Sequence, residues 1–227
     1  MSYVAIGVTG LVGSHFVAQA LESKAVSQLV TISRREPGLK DNKVKEIIAD
    51  SSDWPEKIKD LDIPEHSTFF SAFGTTRKIA GSAENFVAID HGINYASFKA
   101  AKESGKFDTA IIVSSIGSNK NSRFLYLKTK GQLESDIIDL KFKRTIILQP
   151  GALLGREGSK GFLNNLAASV GSWTRGTFIG NAIGHPVYGH EVAKCALIAS
   201  QQPITKEGEV IVITSDKIIE MAKQTLA

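Results

Sequence analysis

The sequence predicts an α/β protein with a doubly wound, mainly parallel sheet and a small C-terminal lobe, all in a single domain over residues 1–227. Three observations predict it. Short apolar runs alternate with amphipathic stretches, the order that gives parallel strands joined by crossover helices. Several runs are apolar at nearly every position, as strands covered on both faces must be. A glycine cluster stands where the first run gives way to the first amphipathic stretch.

The strands read in order as YVAIGV, QLVTIS, VKEIIA, STFFSAF, TAIIVSS, TIILQP and EVIVITS. In the first helix, Val12, Phe16, Val17, Ala20 and Leu21 fall on one face. DWPEKIKDL offers Asp53 as N-cap and Pro55 in the first turn. SAENFVAIDHGINYASFKAAKESG holds a 3.6-residue period for about five turns, with Gly105 as the C′ residue. YLKTKGQLESDIIDL is the next helix. The link RREPGLKDNK is short and carries proline and glycine, so an irregular crossover is expected there. The glycine-rich stretch after Pro150 is too long for a simple loop. It reads as a substrate-side lobe over about 151–207, grown from the carboxyl edge of the sheet.

Composition narrows the class. Hydrophobic residues make up 42% and charged residues 22%, the balance of a soluble globular chain with a sizeable core. The net charge of +4 is scattered, with no run of five or six like charges, so no nucleic acid partner is expected. Cys195 is the only cysteine, so no intrachain disulfide forms, and its apolar helical surroundings read as a small buried residue. No apolar run reaches 18 residues and no signal peptide is read, so a chain without a transmembrane segment is expected. A cleavable presequence would remove the glycine cluster.

That cluster places Gly7, Gly10 and Gly13 between the first strand and the first helix. One glycine permits a tight turn, one lets backbone approach a pyrophosphate, and one lets helix and strand pack closely. The helix N-terminus then meets the phosphates with free N–H groups and partial positive charge. The spacing is G-x-x-G-x-x-G, and its position at a strand–helix junction predicts a Rossmann-type dinucleotide site; the alternative is a glycine turn without a ligand. Thr9, Leu11 and Val12 belong to the same turn. About twenty residues past Gly13 the chain reads Arg34–Arg35, where a site selective for NAD carries an acid. An arginine there suits a 2′-phosphate by charge and by stacking on adenine, so NADPH is the expected cofactor. The alternative is a pair of solvated arginines. Asp50, beside Ser51, could bond the adenine amino group or only form a turn. Phe73, Gly74 and Thr75 end the fourth strand, on the edge where ligands bind in such sheets.

The fifth strand ends in Ser114–Ser115, and Tyr126 follows Ser115 by eleven residues, with Lys130 one helical turn later. Serine, then Y-x-x-x-K, behind an N-terminal glycine motif, resembles the short-chain dehydrogenase/reductase family. The resemblance implies tyrosine as general acid–base at a substrate carbonyl, lysine as its tuner and ribose ligand, and serine as the group that orients the carbonyl oxygen. The physics agrees: a free tyrosine near pH 7 is a poor proton donor–acceptor, and a neighbouring ammonium favours its phenolate. Ser115 is preferred and Ser114 stays open.

GTTR, AG, FV.ID, VSS.G, SRF.Y.K.KG..E.D and PG.LLG together resemble the atypical branch that holds the HIV-Tat-interacting oxidoreductase. IDHGIN and HPVYGHEV look still more like its fungal mitochondrial outer-membrane relatives. The resemblance implies an NADPH-dependent oxidoreductase on a carbonyl or quinone-type small molecule, or an NADPH-binding sensor with little turnover. It also implies a cytoplasmic location or a peripheral one on the mitochondrial outer membrane; an oligomer is compatible with either. Pro150, Gly151 and Leu153 are implied neighbours of the nicotinamide. Gln149 stands where arginine is common in the family, so any contact of that arginine is missing. Asn94 either holds a proton-relay water or packs the helix. His91, His185 and His190 lack metal-ligand spacing and read as ordinary histidines. Tyr188, Phe162, Trp173 and Phe178 are pocket wall or lobe core.

Overall fold

The computed structural model describes residues 1–155 and 185–226. The strands are β1 (Ser2–Ile6), β2 (Gln28–Ser33), β3 (Val44–Ile48), β4 (Ser67–Ser71), β5 (Phe107–Val113), β6 (Arg144–Gln149), β7 (Leu153–Leu154), β8 (Val187–Tyr188) and β9 (Glu209–Thr214). Seven of them form one sheet in the order β3-β2-β1-β4-β5-β6-β9. Every neighbouring pair in it is parallel. All seven expected strands are present, and the sheet is the doubly wound one that the alternation predicts. Strand order reverses between β1 and β4, which opens a crevice at their carboxyl ends. β7 and β8 pair separately beyond that edge.

The helices are α1 (Leu11–Glu22), α2 (Trp54–Lys59), α3 (Arg77–Ala80), α4 (Ala83–Val87), α5 (Asn94–Glu103), α6 (Leu125–Asp139), α7 (Gly189–Gln201) and α8 (Ser215–Met221). A π-helical turn, Ala88–Ile93, joins α4 to α5. The long helix therefore spans the expected five turns, from the Ser82 cap to Gly105 with φ +72, but carries a bulge. No regular element lies between β2 and β3, as the proline–glycine link predicts.

β1 is buried at all five positions because its alternating side chains enter two different cores. Tyr3 and Ala5 point to the face covered by α1 and α7, where Phe16 stacks on Phe70 at 3.8 Å. Val4 and Ile6 point to the face of α2, α5 and α6, with Trp54, Phe69 and Phe98. Cys195 is fully buried on α7, and burial pushes its thiol up to about 12, which leaves it inert. Phe162, Trp173 and Phe178 lie outside the described residues. The later part of the stretch read as a lobe, α7, packs along α1 and closes the first core.

Arg144 fixes that closure. It is 2% exposed. Its Nη1 donates to Gln202 O at 2.6 Å, and Nη2 donates to Ser200 O at 2.7 Å. A cation thus satisfies the carbonyls at the C-terminus of α7, where the helix dipole is negative. We expect Arg144→Ala to lower stability by about 2 kcal/mol, because it strands the buried Ser200 carbonyl. Urea unfolding of the two proteins checks this.

Candidate functional site

The glycine turn has the tight bend and the close helix packing that the sequence predicts. Gly7 has φ +76, and a Cβ on it would lie 2.3 Å from Phe73 N. A Cβ on Gly13 would lie 2.2 Å from Gly7 O, so α1 rests directly on the turn. Gly10 is the N-cap of α1, with no side-chain cap and no acid in the first turn. The helix therefore presents bare N–H groups and partial positive charge toward the crevice.

One cleft runs along the carboxyl edge of the sheet in two joined halves. The first is walled by Gly7, Thr9, Gly10, Arg34, Arg35 and Ser51, with Phe73, Gly74 and Thr75 across from them. Arg34 and Arg35 are exposed at its end. The second shares Gly10, Phe73, Gly74 and Thr75 and continues past Leu11 and Val12 to Ser114, Tyr126, Lys130 and Leu153. The turn and the tyrosine–lysine helix, more than 100 residues apart in sequence, so border one space.

Five expected residues do not line that cleft, one of them Gly13, which packs α1 on the turn. Asp50 is exposed, and its carbonyl accepts from Asp53 N. Pro150 is buried, and Gly151 N donates to Ser215 Oγ at 2.5 Å. Ser115 directs its hydroxyl to Ile116 O at 3.3 Å, while Ser114 stands at the cleft wall. The Ser114 hydroxyl donates to Glu134 Oε1. Gln149 Nε2 donates to both oxygens of Glu134, at 3.0 and 3.1 Å. The glutamine at the arginine position is therefore a partner of the carboxylate behind the serine.

Tyr126 is 44% exposed, with its ring 6.0 Å from that of Phe86. Lys130 is nearly buried, and Asp90 Oδ2 lies 2.9 Å from its Nζ. Gly131 seats this helix: a Cβ there would lie 2.3 Å from Lys120 N. Asn94 is fully buried, its amide N donating to Phe73 O and Asp90 O and its amide O accepting from Ser71 Oγ. Every polar atom of that side chain is in use, which leaves it the packing role. His91 contacts Asp136 at 2.7 Å. No group of three metal-ligating side chains exists among the described residues. A separate cavity of about 690 Å³ between α7 and α8 holds His185 and His190 but lacks the glycine turn.

Sequence reasoning missed Asp90, Trp54 and Glu134. Trp54 Nε1 donates to Ala49 O, and its ring meets Phe73 edge-on at 4.9 Å, bracing the cleft loop. The signal for Asp90 was an acid four residues after Phe86 and four before Asn94, on the buried face of the long helix.

The fold and its crevice define the class: a Rossmann-type α/β fold with a seven-stranded parallel sheet. A short chain dehydrogenase family protein from Francisella tularensis matches with TM-score 0.64 at 14% identity, over 96% of this chain and 98% of that one. The Bordetella bronchiseptica enzyme WbmF in complex with NAD+ matches with TM-score 0.68 at 13% identity, over 98% of this chain and 76% of that one. No family model matches the chain. Relatives by sequence are nearer. Protein FMP52-1, mitochondrial, of Scheffersomyces stipitis is 49% identical over 93% of each chain. Protein FMP52, mitochondrial, of Candida albicans is 45% identical over 98% of each. The chain belongs to the FMP52 family.

Proposed function

We propose that this protein is an NADPH-dependent oxidoreductase that reduces a carbonyl or quinone-type small molecule. The observation that carries the reading is the continuity of the cleft, with a phosphate-type helix terminus and two arginines at one end and Tyr126 with Lys130 at the other. The glycine cradle fits a dinucleotide, since a Cβ on Gly7 or Gly13 would fill it. Solved proteins of this fold, such as WbmF, are recorded with NAD+.

A bound nicotinamide supplies a hydride to the carbonyl carbon. The α1 terminus holds the pyrophosphate, and Arg34 and Arg35 hold the 2′-phosphate. Tyr126 gives its proton to the carbonyl oxygen as the C–O double bond becomes single, and solvent restores that proton. Lys130 favours the phenolate so formed and holds the ribose. The serine role falls at the end of β5. The sequence favours Ser115; bordering the cleft favours Ser114, so we assign the role to Ser114.

A second reading has one observation behind it. The Lys130 charge is compensated by Asp90 at 2.9 Å, which weakens its action on Tyr126. That suits an NADPH-binding sensor with little turnover. A screen of NADPH oxidation with aldehydes, ketones and quinones separates the two. Turnover supports the reductase; NADPH binding with no turnover across the panel supports the sensor. Arg34→Ala with Arg35→Ala is expected to weaken NADPH about tenfold and leave NADH nearly unchanged, as titration of each nucleotide would report.

We also place the protein at mitochondria, as its relatives' names suggest, peripheral to the outer membrane, in the branch of the HIV-Tat-interacting oxidoreductase. No helix among the described residues is long and apolar enough to cross a membrane. Release of the protein from purified mitochondria by alkaline carbonate is the expected outcome.

A further inference from the structure

Asp90 lies directly behind the chemical half of the cleft and is fully buried. Its Oδ2 sits 2.9 Å from Lys130 Nζ, with the two side chains 0% and 7% exposed. No hydrogen-bond donor is aligned on Oδ2 among the described residues, so that contact is one of charge. Its Oδ1 accepts from Thr75 N at 2.9 Å.

Two devices hold the carboxylate there. The first is the π-helical turn Ala88–Ile93, an irregularity frequent at functional sites. Asn94 pins it, donating to Asp90 O at 2.8 Å and to Phe73 O at 3.1 Å. The second is Gly74, where a Cβ would lie 2.8 Å from Asp90 Oδ1. The loop after β4, the π turn and α6 thus converge on one buried carboxylate. Stability alone is a weak reason for this, because a buried ion pair about breaks even against apolar side chains.

We propose that Asp90 is a specificity-determining and positioning residue: it pairs with Lys130 so that the lysine's charge is cancelled at the floor of the nicotinamide end. The inference rests on reading the cleft as a nicotinamide site. Its consequence concerns the oxidation state of the cofactor. The nicotinamide ring is neutral when reduced and cationic when oxidised, while the rest of the dinucleotide is unchanged. With the lysine's charge cancelled, the oxidised form binds and leaves without repulsion from it. Of the other charged groups nearby, His91 is paired with Asp136, while Glu134 is hydrogen-bonded by the neutral Ser114 and Gln149, so its charge is a fixed background that the substitutions below leave unchanged. The balance at the floor therefore lies between Asp90 and Lys130.

The test is the ratio of dissociation constants, NADP+ over NADPH, in four proteins. These are the parent, Asp90→Asn, Lys130→Met and the double variant. Asp90→Asn leaves a cationic floor and is expected to raise the ratio about fivefold. Lys130→Met leaves an anionic floor and is expected to lower it about fivefold. A unit charge acting over about 10 Å at an effective dielectric constant of about 30 gives that order. The double variant returns to within about twofold of the parent. Structural loosening weakens both nucleotides together and cancels in the ratio. Singles that leave the ratio unmoved, or move it in one direction, overturn the inference. Should Asp90→Asn not fold, the double variant must still show a higher ratio than Lys130→Met, and equality there overturns it. A parent that binds neither nucleotide is a different result: it overturns the dinucleotide reading itself.

Discussion

Gly7→Ala is expected to lower the melting temperature by roughly 8–16 °C and to abolish measurable NADPH binding. The position fails an alanine twice. Its φ is +76, a left-handed conformation that costs an L side chain about 1–2 kcal/mol. The new Cβ also meets backbone, 2.3 Å from Phe73 N and 2.4 Å from Ala72 C, and neither can swing aside as a side-chain tip would. Overpacking of that kind costs about 1–3 kcal/mol. The sum is about 4 kcal/mol, and about 2–4 °C is lost per kcal/mol in a chain of this length. The backbone that must move is the cleft loop itself, so stability and binding fall together. Calorimetry and nucleotide titration of one preparation would check both. A variant that melts like the parent and binds NADPH normally would contradict the turn geometry.

Tyr126→Phe is expected to leave NADPH affinity within about twofold and to cut turnover about 10²–10⁴-fold, the range of general acid–base catalysis. The hydroxyl is the proton donor in the proposed reduction, and among the described residues the cleft offers no second donor with a cation one turn away on the same helix face. Phenylalanine keeps the ring and its contact with Phe86 at 6.0 Å, so the fold has no reason to change. Single-turnover kinetics with a substrate found in the screen separates binding from chemistry. A mutant as fast as the parent would remove Tyr126 from the reaction.

Much of this molecule was legible before its structure. The seven strands follow from runs such as VAI and TFF, which bury every position because both faces of the sheet are covered. The glycine turn was legible too, since three glycines at a strand–helix junction have few other uses. Other features depend on contacts that sequence spacing does not carry. The π turn shifts Asp90 and Asn94 in a helix whose period otherwise runs on. Ser114 and Ser115 differ by one residue, and the twist of the chain after Val113 decides which borders the cleft. Gly131 looks like a helix defect until α6 is seen resting on the backbone of Asn119 and Lys120. Arg144 reads as an ordinary strand end, and the arrival of α7 from 56 residues further on gives it its shortest buried hydrogen bond.

The central claim is that this cleft holds a dinucleotide bearing a 2′-phosphate. Titration of the purified protein with NADPH and with NADH tests it most directly. The account predicts binding of both, with NADPH at least about tenfold tighter, as the proposed pairing of a 2′-phosphate with the two exposed arginines at the end of the cleft requires. Equal affinities would contradict the 2′-phosphate assignment, and binding of neither would contradict the dinucleotide site.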